Sequence, residues 1–166
     1  ADPALSGGGA LLDNGCHSID LYRHLMGEPS DVQAISAHVL QDLPVEDFGM
    51  FHLTANGTQL GQIISSYSLK GSASTLEWYG TGGCATVNYF SPSQPDLSYR
   101  LEGSNEAVVV DCSALPDRFS AEVAHFLDCV RTGQPLALTV DDGLRANQVV
   151  AALYASARSG GREVVG

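Results

Sequence analysis

Phe51-His52-Leu53-Thr54-Ala55-Asn56-Gly57-Thr58-Gln59-Leu60-Gly61-Gln62-Ile63-Ile64 is the stretch that decides the fold. Phe51-His52-Leu53 and Leu60–Ile64 are strand-like, and the turn between them contains Asn56-Gly57. Asn-Gly is the strongest short hairpin signal, because both central residues of a type I′ turn need positive φ. Outward from this hairpin the pattern repeats. Leu76–Tyr79 and Cys84–Tyr89 are joined through Gly80-Thr81-Gly82-Gly83, and Leu97–Leu101 and Ala107–Asp111 through Gly103-Ser104-Asn105. Strands linked by tight turns leave no room for crossover helices, so the sheet over about 31–111 is expected to be mainly antiparallel. Polar residues at Gln62, Ser66 and Ser68 put one face on the core and leave the other wet or paired. Ser91–Pro95, with two prolines, is expected to be a loop between hairpins.

Both ends of the chain have a helical period. Leu12, Cys16, Ile19, Tyr22 and Met26 are spaced by four, three, three and four, and Gly27 and Pro29 close the run, predicting a helix over about 9–26. Phe119, Val123, Phe126, Leu127 and Val130 form a second stripe that stops at Gly133 before Pro135. A last helix starts near Asp141-Asp142, whose carboxylates suit the positive end of the helix dipole. It carries Ala146, Val150, Leu153 and Ala157 on one face, and Arg162–Val165 follows as a short strand. The expected class is α+β: a mainly antiparallel open sheet with helices packed on one face, as one domain over 1–166.

The 166 residues are 44% hydrophobic and 16% charged, the composition of an ordinary globular domain. A net charge of −11, with Lys70 the only lysine among eight basic residues, argues against nucleic acid and anionic membrane partners. No apolar run approaches the roughly 18 residues that span a bilayer. Ala1-Asp2-Pro3-Ala4-Leu5 has neither a basic nor a long apolar leader, and the missing initiator Met fits a processed protein or a fragment of a longer one. Cys16, Cys84, Cys112 and Cys129 are far apart, which predicts reduced thiols in a cytoplasmic protein.

Asp13, His17, Asp20 and His24 are spaced by four, three and four, and so share one face of the first helix. One reading is an acid/base pair: an imidazole with an ordinary pKa near 6.5 takes and returns a proton at neutral pH, and a carboxylate one turn away orients it. A second is a solvated helix face, and a third is metal chelation, for which an i, i+4 pair supplies only two ligands. Gly7-Gly8-Gly9 is not Gly-x-Gly-x-x-Gly and follows no strand. Close packing of the helix start explains it better than a phosphate cradle. Gly80–Gly83 is likewise hairpin geometry. His38 and His52 fall in expected strands and His125 in a helix, each as a packed or surface histidine. There is no Gly-x-Ser-x-Gly elbow to support serine-hydrolase chemistry.

The segment Gly7-Gly8-Gly9-Ala10-Leu11-Leu12-Asp13-Asn14-Gly15-Cys16-His17-Ser18-Ile19-Asp20 resembles the helix that opens the C-terminal domain of the glucose–fructose oxidoreductase / inositol dehydrogenase (Gfo/Idh/MocA) family. Leu76–Gly83 resembles the family's strand-and-turn segment, and Phe119–Val165 its closing helices, so the likeness covers nearly the whole chain. It implies a nicotinamide-dependent oxidoreductase in which a Rossmann domain, absent from this chain, binds NAD or NADP. The C-terminal domain supplies the substrate pocket and an oligomerising sheet. It also implies hydride transfer at a hydroxyl- or carbonyl-bearing carbon of a sugar, polyol or inositol, with His17 as acid/base and Asp13 beside it. A homodimer or homotetramer through the sheet face follows from the same resemblance.

Two departures bear on these expectations. The family's catalytic lysine, in a Glu-Lys-Pro segment, has no counterpart, since Lys70 precedes Gly71. The dinucleotide fingerprint is missing too, so the chain alone is expected to be inactive. In addition, Asn14 replaces the usual aliphatic residue, which alters packing or substrate contact there. The rival expectation is a non-catalytic oligomerisation or binding module of the same fold.

Overall fold

The computed structural model describes residues 2–70, 74–88 and 96–166. These form two compact units, Ala1–Leu69 with Ala137–Gly166, and Lys70–Leu136.

The first unit is a four-stranded antiparallel sheet backed by helices. Its strands are β1 (Asp31–Ala37), β2 (Phe48–Ala55), β3 (Gln59–Ser66) and β8 (Glu163–Val164), in the order β3-β2-β1-β8. The Asn-Gly hairpin forms as expected: Asn56 and Gly57 both have positive φ, 50° and 72°, and Thr54 lies opposite Leu60. Alternation then divides the side chains between the two faces. Val32, Ala34, Phe51, Leu53 and Ala55 point into the core, where they meet Leu11, Ile19 and Tyr22 on one side of the chain and Val149, Val150 and Leu153 on the other. Phe51, Leu53 and Leu153 are fully buried, each burial contributing about 1.5–3 kcal/mol.

The helices of this unit are α1 (Pro3–Ser6), α2 (Ala10–Asp13), α3 (Gly15–Met26) and α5 (Val140–Ser159). The single helix expected over 9–26 is therefore broken at Asn14. Beside the break the Ala10 carbonyl accepts both the Asn14 N–H and, at 2.7 Å, the Ser65 hydroxyl from β3. α5 is capped by Thr139 and begins at Val140, one residue before the expected Asp141. The Asp142 carboxylate accepts the Thr139 N–H and hydroxyl, both at 2.8 Å, within a capping box. The expected face of Val150 and Leu153 is buried.

The second unit holds β4 (Thr75–Gly80), β5 (Gly83–Asn88), β6 (Asp96–Leu101) and β7 (Val108–Val110), a four-stranded antiparallel sheet in chain order. Both expected hairpins are present. The strands thus form two sheets instead of one continuous meander, with every described pairing antiparallel. The loop expected over Ser91–Pro95 lies outside the described residues. α4 (Arg118–Thr132) matches the second stripe and ends at Gly133 in the left-handed region, φ 72°. Its apolar residues Phe119, Val123, Phe126, Leu127 and Val130 are exposed. The helix is fixed locally by its caps, Asp117 on the Ser120 N–H and the Gly133 N–H on the Cys129 carbonyl.

Candidate active site

The site is built from the start of α2. Glu46, just before β2, holds that start from two directions. Its carbonyl accepts the Ala10 N–H at 2.9 Å, and its carboxylate Oε1 accepts the Gly9 and Leu11 N–H groups, each at 3.1 Å. The Tyr154 hydroxyl of α5 donates to the same oxygen at 2.7 Å. Burial, then the Glu46 carboxylate, pushes the Tyr154 phenol above its ordinary value, so it remains a donor. There is no room for side chains here. A Cβ on Gly9 would stand 1.9 Å from the Glu46 carbonyl oxygen, and one on Gly8 2.0 Å from the Tyr154 hydroxyl. The glycine run therefore serves close packing, as the sequence reading favoured over a phosphate cradle.

Asp13 closes α2, and His17 lies in the first turn of α3. Both side chains are exposed. The Asp13 carboxylate is held from the sheet side: the Tyr67 hydroxyl, one residue past β3, donates to its Oδ2 at 2.8 Å. Burial raises the Tyr67 phenol well above its usual range, with the Asp13 hydrogen bond adding to the effect, so this group too is a donor at neutral pH. The Asp13 carbonyl accepts the Cys16 thiol at 3.2 Å, and burial pushes that thiol upward. Among the described residues no hydrogen bond or ion pair joins Asp13 to His17. Two surface depressions of about 400 Å³ are each lined by other residues.

The remaining polar residues of the first helix go elsewhere. Asp20 pairs with Arg23 at 3.2 Å. The Arg23 guanidinium is buried and also meets Glu28 at 2.6 Å and Asp142 at 3.5 Å, tying α3 to the start of α5. His24 is exposed. Among the described residues no group of three or more His, Cys, Asp or Glu side chains is placed to hold a metal. His38 lies beyond the end of β1, not in a strand. His52 sits on the outer face of its sheet, opposite Gln33 and Gln62, and His125 on α4 places Nε2 3.6 Å from the Cys129 sulfur.

Three residues of this region were not singled out from sequence: Glu46, Asp47 and Tyr67. Asp47 is fully buried. Its carboxylate accepts the N–H groups of Val39 (2.6 Å), Leu40 (3.0 Å) and Gln41 (3.1 Å), and the Ser68 hydroxyl. Those bonds, the Ser68 hydroxyl foremost, hold it well below the usual carboxylate range. The available signal was two consecutive acids between Val45 and Phe48, at the start of an apolar strand.

The first unit is thus an open antiparallel sheet with helices on one of its faces, and the helix pair α2–α3 carries Asp13 and His17. The family model described as the GFO/IDH/MocA C-terminal domain matches residues 1–86, and the chain belongs to that family. It is 25% identical over 167 residues to the uncharacterized oxidoreductase YrbE of Bacillus subtilis, an alignment covering 93% of this chain and 48% of that protein. Among solved structures it is similar to the aldose–aldose oxidoreductase of Caulobacter crescentus complexed with glycerol. That match has a TM-score of 0.86 and 28% identity, and covers 98% of this chain and 49% of that one. Levoglucosan dehydrogenase in complex with NADH and levoglucosan shares the fold, with a TM-score of 0.85 and 21% identity over 99% of this chain and 52% of that one. The chain thus spans about half the length of the relatives it matches. No described helix is long and apolar enough to cross a membrane.

Proposed function

We propose that this chain is the substrate side of an NAD- or NADP-dependent oxidoreductase acting on a hydroxyl-bearing carbon of a sugar, polyol or inositol. The carrying observation is that the family motif folds into the α2–α3 pair, with Asp13 and His17 both exposed on either side of its junction and Asp13 oriented by Tyr67. His17 takes the hydroxyl proton when the alcohol is oxidised and returns it in reduction, and Asp13 accepts a hydrogen bond from the substrate or from the imidazolium. The glycerol complex of the aldose–aldose oxidoreductase supports a polyhydroxylated substrate.

The chain's own residues do not fit a dinucleotide. All described strand pairs are antiparallel, so no parallel βαβ crevice exists among them. No buried side-chain nitrogen or oxygen lacks a partner among the described residues. The cofactor would be held by a Rossmann domain outside these residues and would supply the hydride acceptor or donor, and this chain alone is expected to be inactive.

Self-association is part of the same reading. Ile35, Met50 and Ile64 lie side by side across the outer sheet face, with Ile35 56% and Ile64 54% exposed. An apolar row of this kind suits a second copy of the chain in a homodimer or homotetramer. The rival reading, a non-catalytic module, keeps this interface and discards the chemistry.

The experiment is an assay of the full-length protein against D-glucose, D-xylose, myo-inositol and glycerol with NAD⁺ and NADP⁺. His17→Ala is expected to lower turnover by about two to four orders of magnitude, as loss of a general acid/base does. A variant within threefold of the parent removes His17 from the mechanism.

A further inference from the structure

Asp13 is the one member of the proposed pair whose orientation the fold fixes, and what fixes it comes from the sheet. The Tyr67 hydroxyl donates to Asp13 Oδ2 at 2.8 Å, which leaves Oδ1 free to accept from a substrate hydroxyl. Tyr67 is itself pinned along its backbone. Its N–H donates to the Asp47 carbonyl at 2.9 Å, and its carbonyl accepts the Gln41 side-chain amide at 3.0 Å. The preceding residue adds another tie, the Ser66 hydroxyl on the Asp47 carbonyl at 2.9 Å. Asp47 is in turn immobilised by Ser68 and by three backbone N–H groups of the 39–41 segment. A buried carboxylate so satisfied is rigid, because loss of any one donor leaves its charge undersolvated.

From this chain of contacts we infer that Tyr67 is a positioning residue of the site: it presents Asp13 to the substrate, and the Asp47–Ser68 clamp sets where Tyr67 stands. The inference rests on the proton-transfer reading of Asp13 and His17. Loss of the hydroxyl frees the Asp13 side chain to rotate on open surface. Misplacing a reacting group by about 1 Å costs on the order of 10²-fold in rate, so the effect belongs in kcat, with substrate affinity little changed.

The test uses the full-length protein and whichever of D-glucose, D-xylose, myo-inositol and glycerol it turns over fastest. Tyr67→Phe removes one oxygen and keeps the ring. It should lower kcat by about 10- to 100-fold with KM within about twofold. In the Asp13→Ala background the same change should alter kcat by less than about twofold, because Tyr67 acts through Asp13. A Tyr67→Phe protein within twofold of the parent, or reductions that multiply in the double variant, overturns the inference. If His17→Ala and Asp13→Ala collapse turnover while Tyr67→Phe does not, the positioning role alone fails. If no probe is turned over, or neither of those two variants matters, the proton-transfer reading fails and this inference falls with it. A second readout needs no turnover. In the cofactor-free protein the Tyr67 phenol, followed by its ring carbon resonance, should titrate at lower pH in Asp13→Asn than in the parent. An unchanged titration overturns the contact itself.

Discussion

Gly9→Ala puts the packing of the site's foundation to a direct test. The added Cβ would lie 1.9 Å from the Glu46 carbonyl oxygen and 2.9 Å from both the Glu46 carbonyl carbon and Cδ. Contacts at these distances are not tolerated, so the start of α2 must retreat by roughly 1 Å. Retreat stretches three bonds together: Ala10 N–H to the Glu46 carbonyl at 2.9 Å, and Gly9 and Leu11 N–H to the Glu46 carboxylate at 3.1 Å each. A neutral hydrogen bond nets about 0.5–1.5 kcal/mol and one to a charged group about 1.5–3. Partial loss of all three, less the roughly 0.4–1 kcal/mol that alanine recovers by stiffening the unfolded chain, gives a net destabilisation of about 2–3 kcal/mol. With a urea dependence of about 1–3 kcal/mol per molar, the midpoint followed by far-ultraviolet circular dichroism should fall by about 1–2 M. Gly57→Ala is the comparison. Gly57 has φ 72° and nothing within 4 Å of its absent Cβ, so that change should cost only the left-handed penalty of about 1–2 kcal/mol. A Gly9→Ala midpoint within 0.3 M of the parent, on the order of the uncertainty of the fit, would show that Glu46 does not hold the helix start.

Three further outcomes follow from the same contacts. Arg162 donates to Asp31 at 2.5 Å and holds that carboxyl down to about 2 from an ordinary 3.8. The unfolded chain therefore binds the proton more readily, and the pair's contribution is fully present above about pH 4 and lost as pH falls towards about 2. Arg162→Gln should flatten the acid limb of the stability profile, and an unchanged limb removes the pair from the account. Ile64→Asp, placed in the exposed Ile35–Met50–Ile64 row, should reduce the solution mass of the full-length protein measured by light scattering. An unaltered mass argues that copies meet elsewhere. Ser65→Ala removes the buried 2.7 Å bond to the Ala10 carbonyl at a cost of about 1 kcal/mol, and thermal melting should register it while far-ultraviolet ellipticity stays constant or deepens.

The hairpins were legible because their signals are local. Asn56-Gly57 dictates its turn whatever surrounds it, and the 3.6-residue stripes of α4 and α5 were read to within a few residues of their ends. The break at Asn14 was not legible. The Ser65 hydroxyl that meets the Ala10 carbonyl beside it comes from 55 residues along the chain, and no helical period reports a hydroxyl arriving from a strand. The division into two sheets escaped for a related reason, since tight turns specify which neighbours pair but not where a sheet ends. Asp13 and His17 are singled out by the motif rather than by the period, which covers Asp20 equally, and Asp20 is a partner of Arg23. Tyr67 carried no local mark at all. A lone tyrosine one residue after a strand is ordinary, and its importance comes from the carboxylate it faces.

Three consecutive residues at the end of β3 govern the site's geometry. Ser65 points inward to the Ala10 carbonyl, Ser66 bonds the Asp47 carbonyl, and Tyr67 reaches the Asp13 carboxylate. One strand end thus contacts the front of α2, the clamp beside it and the last residue of α2. Because strand side chains alternate between faces, a register shift of one residue in β3 would exchange the first two roles and carry the phenol away from Asp13. That register is fixed from the far end of the hairpin by the Asn56-Gly57 turn, which places Phe48 opposite Ser66. The turn that decides the fold therefore also sets where the site's carboxylate stands, through a rigid lever of eight residues in each strand.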